Sequence, residues 1–143
     1  MSRTAAIFAL AVLLAAPVAA QEGDIVLEYD EFTVAHPDAA AYWTDYLPKL
    51  FPDAAPATIH VASMPTAGGG SYTVTVLMAG GWCGMNDCPT RIFEDGRIIA
   101  DFMACNLLEE HSISADGQSF YACGVSFDVE ELRGQIVEFG APF

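Results

Sequence analysis

Apolar and polar residues alternate over several short stretches, a period of two that predicts β-strands with one buried face. The clearest stretch is 71–79, SYTVTVLMA, where tyrosine and valine fall on one face and threonine on the other, which predicts a half-solvated sheet. Stretches 24–34 and 58–63 show the same alternation. Asp-Gly pairs at 95–96 and 116–117 predict β-hairpins, because glycine adopts positive φ without strain.

One segment instead has the period of an amphipathic helix. Pro37 suits the first helical position. A broad apolar stripe follows, made by two pairs of side chains four residues apart: Tyr42 with Tyr46, and Trp43 with Leu47. Pro48 predicts a kink or a break, because its ring clashes with the carbonyl four residues earlier. Near the C-terminus, Asp128 is predicted to cap a helical turn, and 135–139 is predicted to form an edge strand.

The order of these elements predicts the fold class. One strand and one helix precede about five or six short strands, and long crossover helices are absent, so a parallel sheet is not expected. We predict an α+β fold, in which a curved antiparallel sheet of about five or six short strands carries one N-terminal helix on one face. We also predict that disulfides staple this framework and that residues 21–143 form a single domain with its own core.

The first 20 residues have the pattern of an export signal. Arg3 is the only charge before Glu22, and the apolar run 5–16 is too short to span a membrane comfortably. Small residues at 18–20 predict cleavage after Ala20. The sequence therefore predicts a periplasmic or secreted protein.

Acidic residues dominate the charge of the chain. There are 19 acidic and 5 basic residues, a formal charge of −14. Because all 19 acids follow the predicted signal and Arg3 lies within it, the mature chain has a formal charge of −15. This charge repels phosphate and anionic lipid, so neither nucleic acid nor a membrane surface is expected as a partner. It favours a cationic protein or peptide; the alternative is that acidity only keeps an exported protein soluble.

All four cysteines lie in the predicted exported part: Cys83, Cys88, Cys105 and Cys123. An even number in an oxidising compartment predicts two disulfides. Cys83 and Cys88 flank a short loop with Gly and Asn that can bring them to bonding distance, which favours Cys83–Cys88 with Cys105–Cys123. The rival pairing is Cys88–Cys105 with Cys83–Cys123, because folding back at 95–96 brings Cys105 near Cys88.

Trp82-Cys83-Gly84 resembles the Trp-Cys-Gly-x-Cys motif of thioredoxin-like proteins. The resemblance covers three residues and then ends, because four residues rather than two separate the cysteines. Pro89 and hairpin-forming residues follow, in place of the helix that lowers a thiol pKa in such proteins. A thiol-disulfide oxidoreductase, or another small periplasmic enzyme with an unrecognised site, is therefore the alternative hypothesis.

No other pattern of catalysis or metal binding occurs in the sequence. The three histidines, His36, His60 and His111, are far apart. There is no serine-hydrolase elbow, phosphate-binding loop, dinucleotide fingerprint or zinc-protease motif, and no paired zinc-ligand spacing. We therefore predict no catalytic residue, no metal site and no cofactor.

The main hypothesis is an exported, non-catalytic binding module that presents residues 82–89 to a protein partner. Trp82 and Met85 are the predicted apolar anchors, and Asn86 and Asp87 the predicted polar contacts. A disulfide across this loop limits the entropy lost on binding, and tryptophan is favoured at interface hot spots. A structural envelope protein without small-molecule chemistry is a third hypothesis.

Overall fold

The computed structural model describes residues 24–50, 56–66 and 68–138. The predicted signal peptide, its cleavage site and residue 139 of the predicted edge strand lie outside the described residues. The helices are α1 (Pro37–Ala40) and α2 (Val129–Glu138). The strands are, in chain order, β1 (Ile25–Val26), β2 (Asp30–Thr33), β3 (Thr58–Pro65), β4 (Ser71–Met78), β5 (Asp87–Glu94), β6 (Arg97–Cys105), β7 (Ser112–Ile113), β8 (Ser119–Ala122) and β9 (Val125–Asp128).

These strands form two antiparallel sheets. The larger sheet has five strands in the order β2-β3-β4-β5-β6, so each strand pairs with its neighbour in the chain. The smaller sheet has four strands in the order β1-β7-β8-β9. Because β1 pairs with β7 and β2 with β3, the chain crosses from one sheet to the other between Val26 and Asp30.

The larger sheet has a hydrophobic core on each face. Between the two sheets lies the first core, which includes Val74, Ile92 and Phe120. Against the opposite face lies the segment 37–50, which forms the second core with Trp43 at its centre. The central strand β4 is therefore buried on both faces.

Several predictions from the sequence are confirmed. The strands pair antiparallel and two disulfides are present, as predicted; the fold as a whole is mostly β with a few short helices. The predicted strands at 58–63 and 71–79 correspond to β3 and β4. The hairpin predicted at 95–96 joins β5 to β6, and Asp95 and Gly96 have the positive φ values, 49° and 79°, that a two-residue turn requires.

The prediction of one curved, half-solvated sheet is wrong. Both faces of β4 are shielded from solvent. Thr75 on the threonine face is fully buried, as are Val74 and Val76 on the other face. A single helix covers only one face of a sheet, so the second buried face requires another layer. The smaller sheet is that layer. The predicted strand 24–34 is consequently divided into β1 and β2, one in each sheet.

The prediction of one N-terminal helix is also wrong. One turn of α-helix, α1, is followed by 3-10 turns at Ala41–Trp43 and Leu47–Lys49. In an α-helix the Tyr42 carbonyl would accept the N–H of Tyr46. Here it accepts Nη1–H of Arg91 (2.9 Å), and the Tyr46 N–H donates to the Trp43 carbonyl instead (2.9 Å). A tertiary contact thus replaces the α-helical hydrogen bond.

The edge strand predicted at 135–139 is wrong for its described part, because α2 extends to Glu138. The Asp128 carboxylate accepts the N–H of Glu131 (2.9 Å), so the predicted cap is present. Glu130 and Glu131 in the first turn favour the helix further through its dipole. The edge strands of the smaller sheet are β1 and β9.

Among residues 24–50, 56–66 and 68–138, no helix is both long enough and apolar enough to span a membrane.

Candidate functional site

A disulfide closes the loop between β4 and β5. Cys83 and Cys88 are bonded, with their Cα atoms 4.2 Å apart. Inside the loop the Gly84 N–H donates to the Asp87 carbonyl (2.7 Å), and the Cys83 N–H donates to the Ala79 carbonyl (3.1 Å). The covalent bond and these hydrogen bonds hold the segment from Cys83 to Cys88, which we call the stapled loop, in one conformation.

The four residues predicted to bind a partner lie in different environments. Trp82 is half-buried, because its ring packs against Tyr46 with 4.9 Å between centroids and joins the second core. Met85 is 95% exposed at the tip of the stapled loop. Asn86 and Asp87 are exposed beside it. Trp82 therefore supports the loop from within, and the other three are accessible to a partner.

The second disulfide joins the two sheets. Cys105 ends β6 in the larger sheet, and Cys123 lies in the turn between β8 and β9 in the smaller sheet, with 6.2 Å between their Cα atoms. Cys123 and Gly124 have φ values of 49° and 76°, as a two-residue hairpin turn requires. The structure thus contains the pairing that the spacing favours, and none of the four cysteines is free.

An open cleft of about 500 Å³ lies beside this second disulfide. Residues from the end of β6, from the β8–β9 hairpin and from the stapled loop line it. We call it the edge cleft, because β6 and β9 are both edge strands of their sheets. Its lining contains one acidic side chain, Asp87, and no basic side chain.

Exposed apolar side chains are concentrated at this cleft. Met103 and Leu107 are each 46% exposed, Val125 is 53% exposed, and all three line the cleft. Met85 directly precedes the lining residue Asn86. Contiguous exposed apolar surface with a polar rim is typical of an interaction site.

His111 holds the end of β6, where Cys105 lines the edge cleft. Its ring is fully buried, and Nε2–H donates to the carbonyl of Cys105 (2.8 Å). Its Nδ1 accepts the hydroxyl hydrogen of Tyr29 (2.8 Å). These bonds define the neutral imidazole with its proton on Nε2. They also tie the N-terminal part of the chain to the end of β6.

The His111–Tyr29 pair is uncharged near neutral pH. Burial lowers the pKa of His111, against the opposing effects of the Cys105 carbonyl, Glu109 and Glu110. Burial also raises the pKa of Tyr29. A general acid or base must exchange protons near the working pH and reach its substrate. The fully buried histidine instead links Tyr29 to the end of β6.

Arg91 fastens the segment 37–50 to the larger sheet. Its guanidinium donates to the carboxylates of Asp45 and Asp101 and to the Tyr42 carbonyl, at 2.7–3.0 Å. It also lies over the ring of Trp43, 4.5 Å from the centroid. Because its donors already have partners, Arg91 is not available to bind an anionic ligand.

A hydroxyl, an imidazole and a carboxylate meet at the edge strand β2, but not as a catalytic triad. Thr58 Oγ1 is 3.1 Å and Glu31 Oε2 is 3.7 Å from the same nitrogen of His60, Nε2. A triad requires the nucleophile and the carboxylate on opposite nitrogens of the ring. This arrangement cannot activate the hydroxyl in that way.

No group of three or more His, Cys, Asp or Glu side chains is placed to hold a metal ion within the described segments.

No protein-family model matches this chain, and neither a curated protein nor a solved structure matches it.

The sequence did not indicate the wall of the edge cleft. Met103 lies in β6 of the larger sheet and Leu107 just after its end, whereas Val125 and Phe127 lie in β9 of the smaller sheet, so their proximity depends on how the sheets pack. The predicted Cys105–Cys123 pairing came nearest to indicating the cleft, because this bond brings those two chain segments together. Asn86 and Asp87 are the predicted residues that line the cleft.

Proposed function

We propose that this protein is an exported, non-catalytic binding module that takes a cationic protein partner at the stapled loop and the edge cleft. One observation carries the proposal: a loop closed by a disulfide carries Met85, 95% exposed, and directly after it Asn86 and Asp87, which line an open cleft with exposed apolar side chains. Rigid presentation of an apolar side chain is typical of recognition loops, because little conformational entropy is lost on binding.

The chemistry of the lining supports protein recognition. Methionine side chains adapt to irregular partner surfaces; Met103 lines the cleft, and the exposed Met85 directly precedes the lining residue Asn86. Asn86 and Asp87 supply hydrogen-bonding groups at its rim. An apolar centre with polar groups at its rim suits burial of a partner side chain from water.

Charge supports a cationic partner. The chain has a formal charge of −14, and two of its few basic residues are engaged in ion pairs. Arg91 pairs with Asp45, and Arg133 pairs with Glu94. Acidic groups therefore dominate the field that an approaching protein meets, and such a field accelerates association with a basic surface.

The two disulfides are compatible with a periplasmic or extracellular location. Together with the predicted signal peptide at residues 1–20, they support the proposal that binding takes place outside the cytoplasm.

The proposal is tested with the mature chain and a panel of purified globular proteins, half strongly basic and half acidic. We expect a basic protein to bind, with affinity that falls as NaCl is raised from about 50 to about 200 mM. Met85→Ser should weaken binding by about tenfold or more. Val26→Ser, at an exposed valine of β1, is the matched control and should leave binding unchanged. Equal binding of basic and acidic proteins, or no effect of Met85→Ser, would refute the proposal.

A further inference from the structure

We infer that the partner enters the edge cleft as an extended segment, which adds as a new strand to the open edge of β6 at Met103. This inference rests on the proposed binding role and specifies how recognition occurs. An added strand gains main-chain hydrogen bonds from the edge and specificity from pockets for its alternate side chains.

The hydrogen bonds of the β5–β6 ladder show which groups of β6 face outward. The Asn106 N–H donates to the Asn86 carbonyl (2.7 Å), so these two residues form a hydrogen-bonded pair. Hydrogen-bonded and non-hydrogen-bonded pairs alternate along an antiparallel ladder. Ala104 therefore bonds to β5, whereas the N–H and C=O groups of Met103 and Cys105 point away from it.

Two independent contacts agree with this assignment. The Cys105 carbonyl does face away from β5, since it accepts Nε2–H of His111 (2.8 Å). Pro89, which has no N–H, stands opposite Met103, where the ladder between β5 and β6 needs no donor. The outward groups of Met103 take part in no turn or loop bond among the described residues.

The opposite end of β6 lies beside α2. α2 packs against β6 and β9, and Arg133 of α2 reaches Glu94 (3.1 Å), which pairs with Arg97 at the start of β6. The helix thus lies towards the Arg97 end, and Met103 lies towards the opposite end, where the cleft is open.

The edge of β9 is the less suitable acceptor. Ala122 and Val125 flank its two-residue turn and form a hydrogen-bonded pair, so Ser126 is the next residue whose groups face outward. Ser126 does not line the cleft, whereas Met103 does. Beyond it, Asp128 already caps α2.

The walls of the cleft define the side chains of the incoming strand. Phe102, Phe120 and Phe127 pack together between the two sheets, with centroids 4.9–6.1 Å apart. The cleft continues this apolar layer to the surface at Val125. One face of the added strand should therefore be apolar. The other should be cationic, because the chain is acidic and the lining carries Asp87 without a basic residue.

Synthetic peptides test this geometry directly. The probe is a capped, fluorescently labelled peptide of about eight residues, with Lys and Val alternating. Two further peptides are methylated on the backbone nitrogens, one at every valine and the other at every lysine. Each pattern blocks the N–H groups along one edge of the peptide strand. We expect the two methylated peptides to differ in affinity by about tenfold or more, because a strand adds through one edge. Equal affinities of the two methylated peptides would overturn strand addition, since purely hydrophobic or ionic binding does not depend on which backbone edge is blocked.

A proline at Met103 is the complementary test on the protein. Met103→Pro removes an N–H that β5 does not use, and proline is tolerated on edge strands. Met103→Val retains the N–H and is the matched control. We expect Met103→Pro to weaken peptide binding by about tenfold relative to Met103→Val. Its thermal unfolding is recorded alongside, and if this variant does not fold, the methylated peptides decide the question.

The outcomes separate the inference from the proposed function. If the unmethylated peptide binds and neither Met103→Pro nor methylation of one edge weakens it selectively, strand addition is wrong, and the binding role stands. If neither that peptide nor any basic protein binds the unsubstituted protein, both are wrong.

Discussion

Arg91 and Asp45 form a two-point contact, with 2.8 Å between Nη1 and Oδ1 and 2.7 Å between Nη2 and Oδ2. Solvent reaches the two partners unequally, because the side chain of Arg91 is 4% exposed and that of Asp45 is 54% exposed. Burial lowers the pKa of Arg91, yet its bonds to Asp45 and Asp101 raise it overall. The free-energy cost of burying this cation is thus offset by carboxylates at the surface.

Arg91→Ala should lower the free energy of unfolding by about 3 kcal/mol, because it removes a buried hydrogen-bonded charge and its stacking on Trp43. Arg97→Ala, at an exposed arginine of the neighbouring strand, is the control and should change it by less than about 0.5 kcal/mol. Urea unfolding near neutral pH measures both. If Arg91→Ala lowers the free energy of unfolding by less than about 1 kcal/mol, Arg91 does not hold the segment 37–50 on the larger sheet.

His111 should make stability dependent on pH. Since burial lowers its pKa in the folded protein, the unfolded chain binds more protons between that value and about 6.5. The free energy of unfolding therefore falls as pH drops through this window. We expect His111→Gln to show a smaller loss between about pH 7.5 and about pH 5 than the unsubstituted protein. Titration of the carboxylates and of His60 affects both proteins alike and cancels when their free energies of unfolding are subtracted. If the free energies of the two proteins fall in parallel with pH, the prediction is contradicted.

The two disulfides should differ in their effects. Replacing Cys105 and Cys123 together by alanine should cost about 3 kcal/mol, and replacing Cys83 and Cys88 about 2 kcal/mol, because the first bond closes the longer stretch of chain. The second replacement frees the stapled loop and should weaken partner binding with little loss of secondary structure. Chemical unfolding followed by circular dichroism measures the stabilities. Unfolding of the Cys83/Cys88 variant in buffer would contradict the expectation that this bond mainly constrains the stapled loop.

Met85 should be the described methionine most readily oxidised. Its thioether is 95% exposed, compared with 46% for Met103 and 8% for Met64. Dilute hydrogen peroxide transfers an oxygen atom to the thioether sulfur and is reduced to water, giving the sulfoxide. Peptide mapping by mass spectrometry over time gives the order. Oxidation of Met64 at the same rate as Met85 would show that the first core opens more easily than its packing implies.

The sequence allowed prediction of local features whose causes are local. Turns at 95–96 and 116–117 follow from the backbone freedom of glycine, and the Asp128 cap follows from its position before α2. The second sheet was not predicted, because alternation shows that a strand has an apolar face but not how many layers cover it. Arg91 shows the same limit, since its partner Asp45 is 46 residues away in the chain.

The candidate site was predictable to a similar degree. The cysteine spacing indicated the stapled loop, and composition indicated the exposed tip with Asn86 and Asp87. The opposite wall, with Val125, arises from the packing of two sheets. Trp82 was expected at the surface and packs on Tyr46, because the turn after β4 directs its ring towards the segment 37–50.

The packing of Trp43 and Trp82 gives the protein a built-in optical reporter. The chain has two tryptophans, and both indoles lie in the layer between the larger sheet and the segment 37–50. The phenylalanine-rich interior between the sheets contains none. Tryptophan fluorescence will therefore report when the segment 37–50 detaches from the larger sheet, whereas far-ultraviolet circular dichroism reports the unfolding of both sheets. Disagreement between the two melting curves would reveal that the layers separate in sequence.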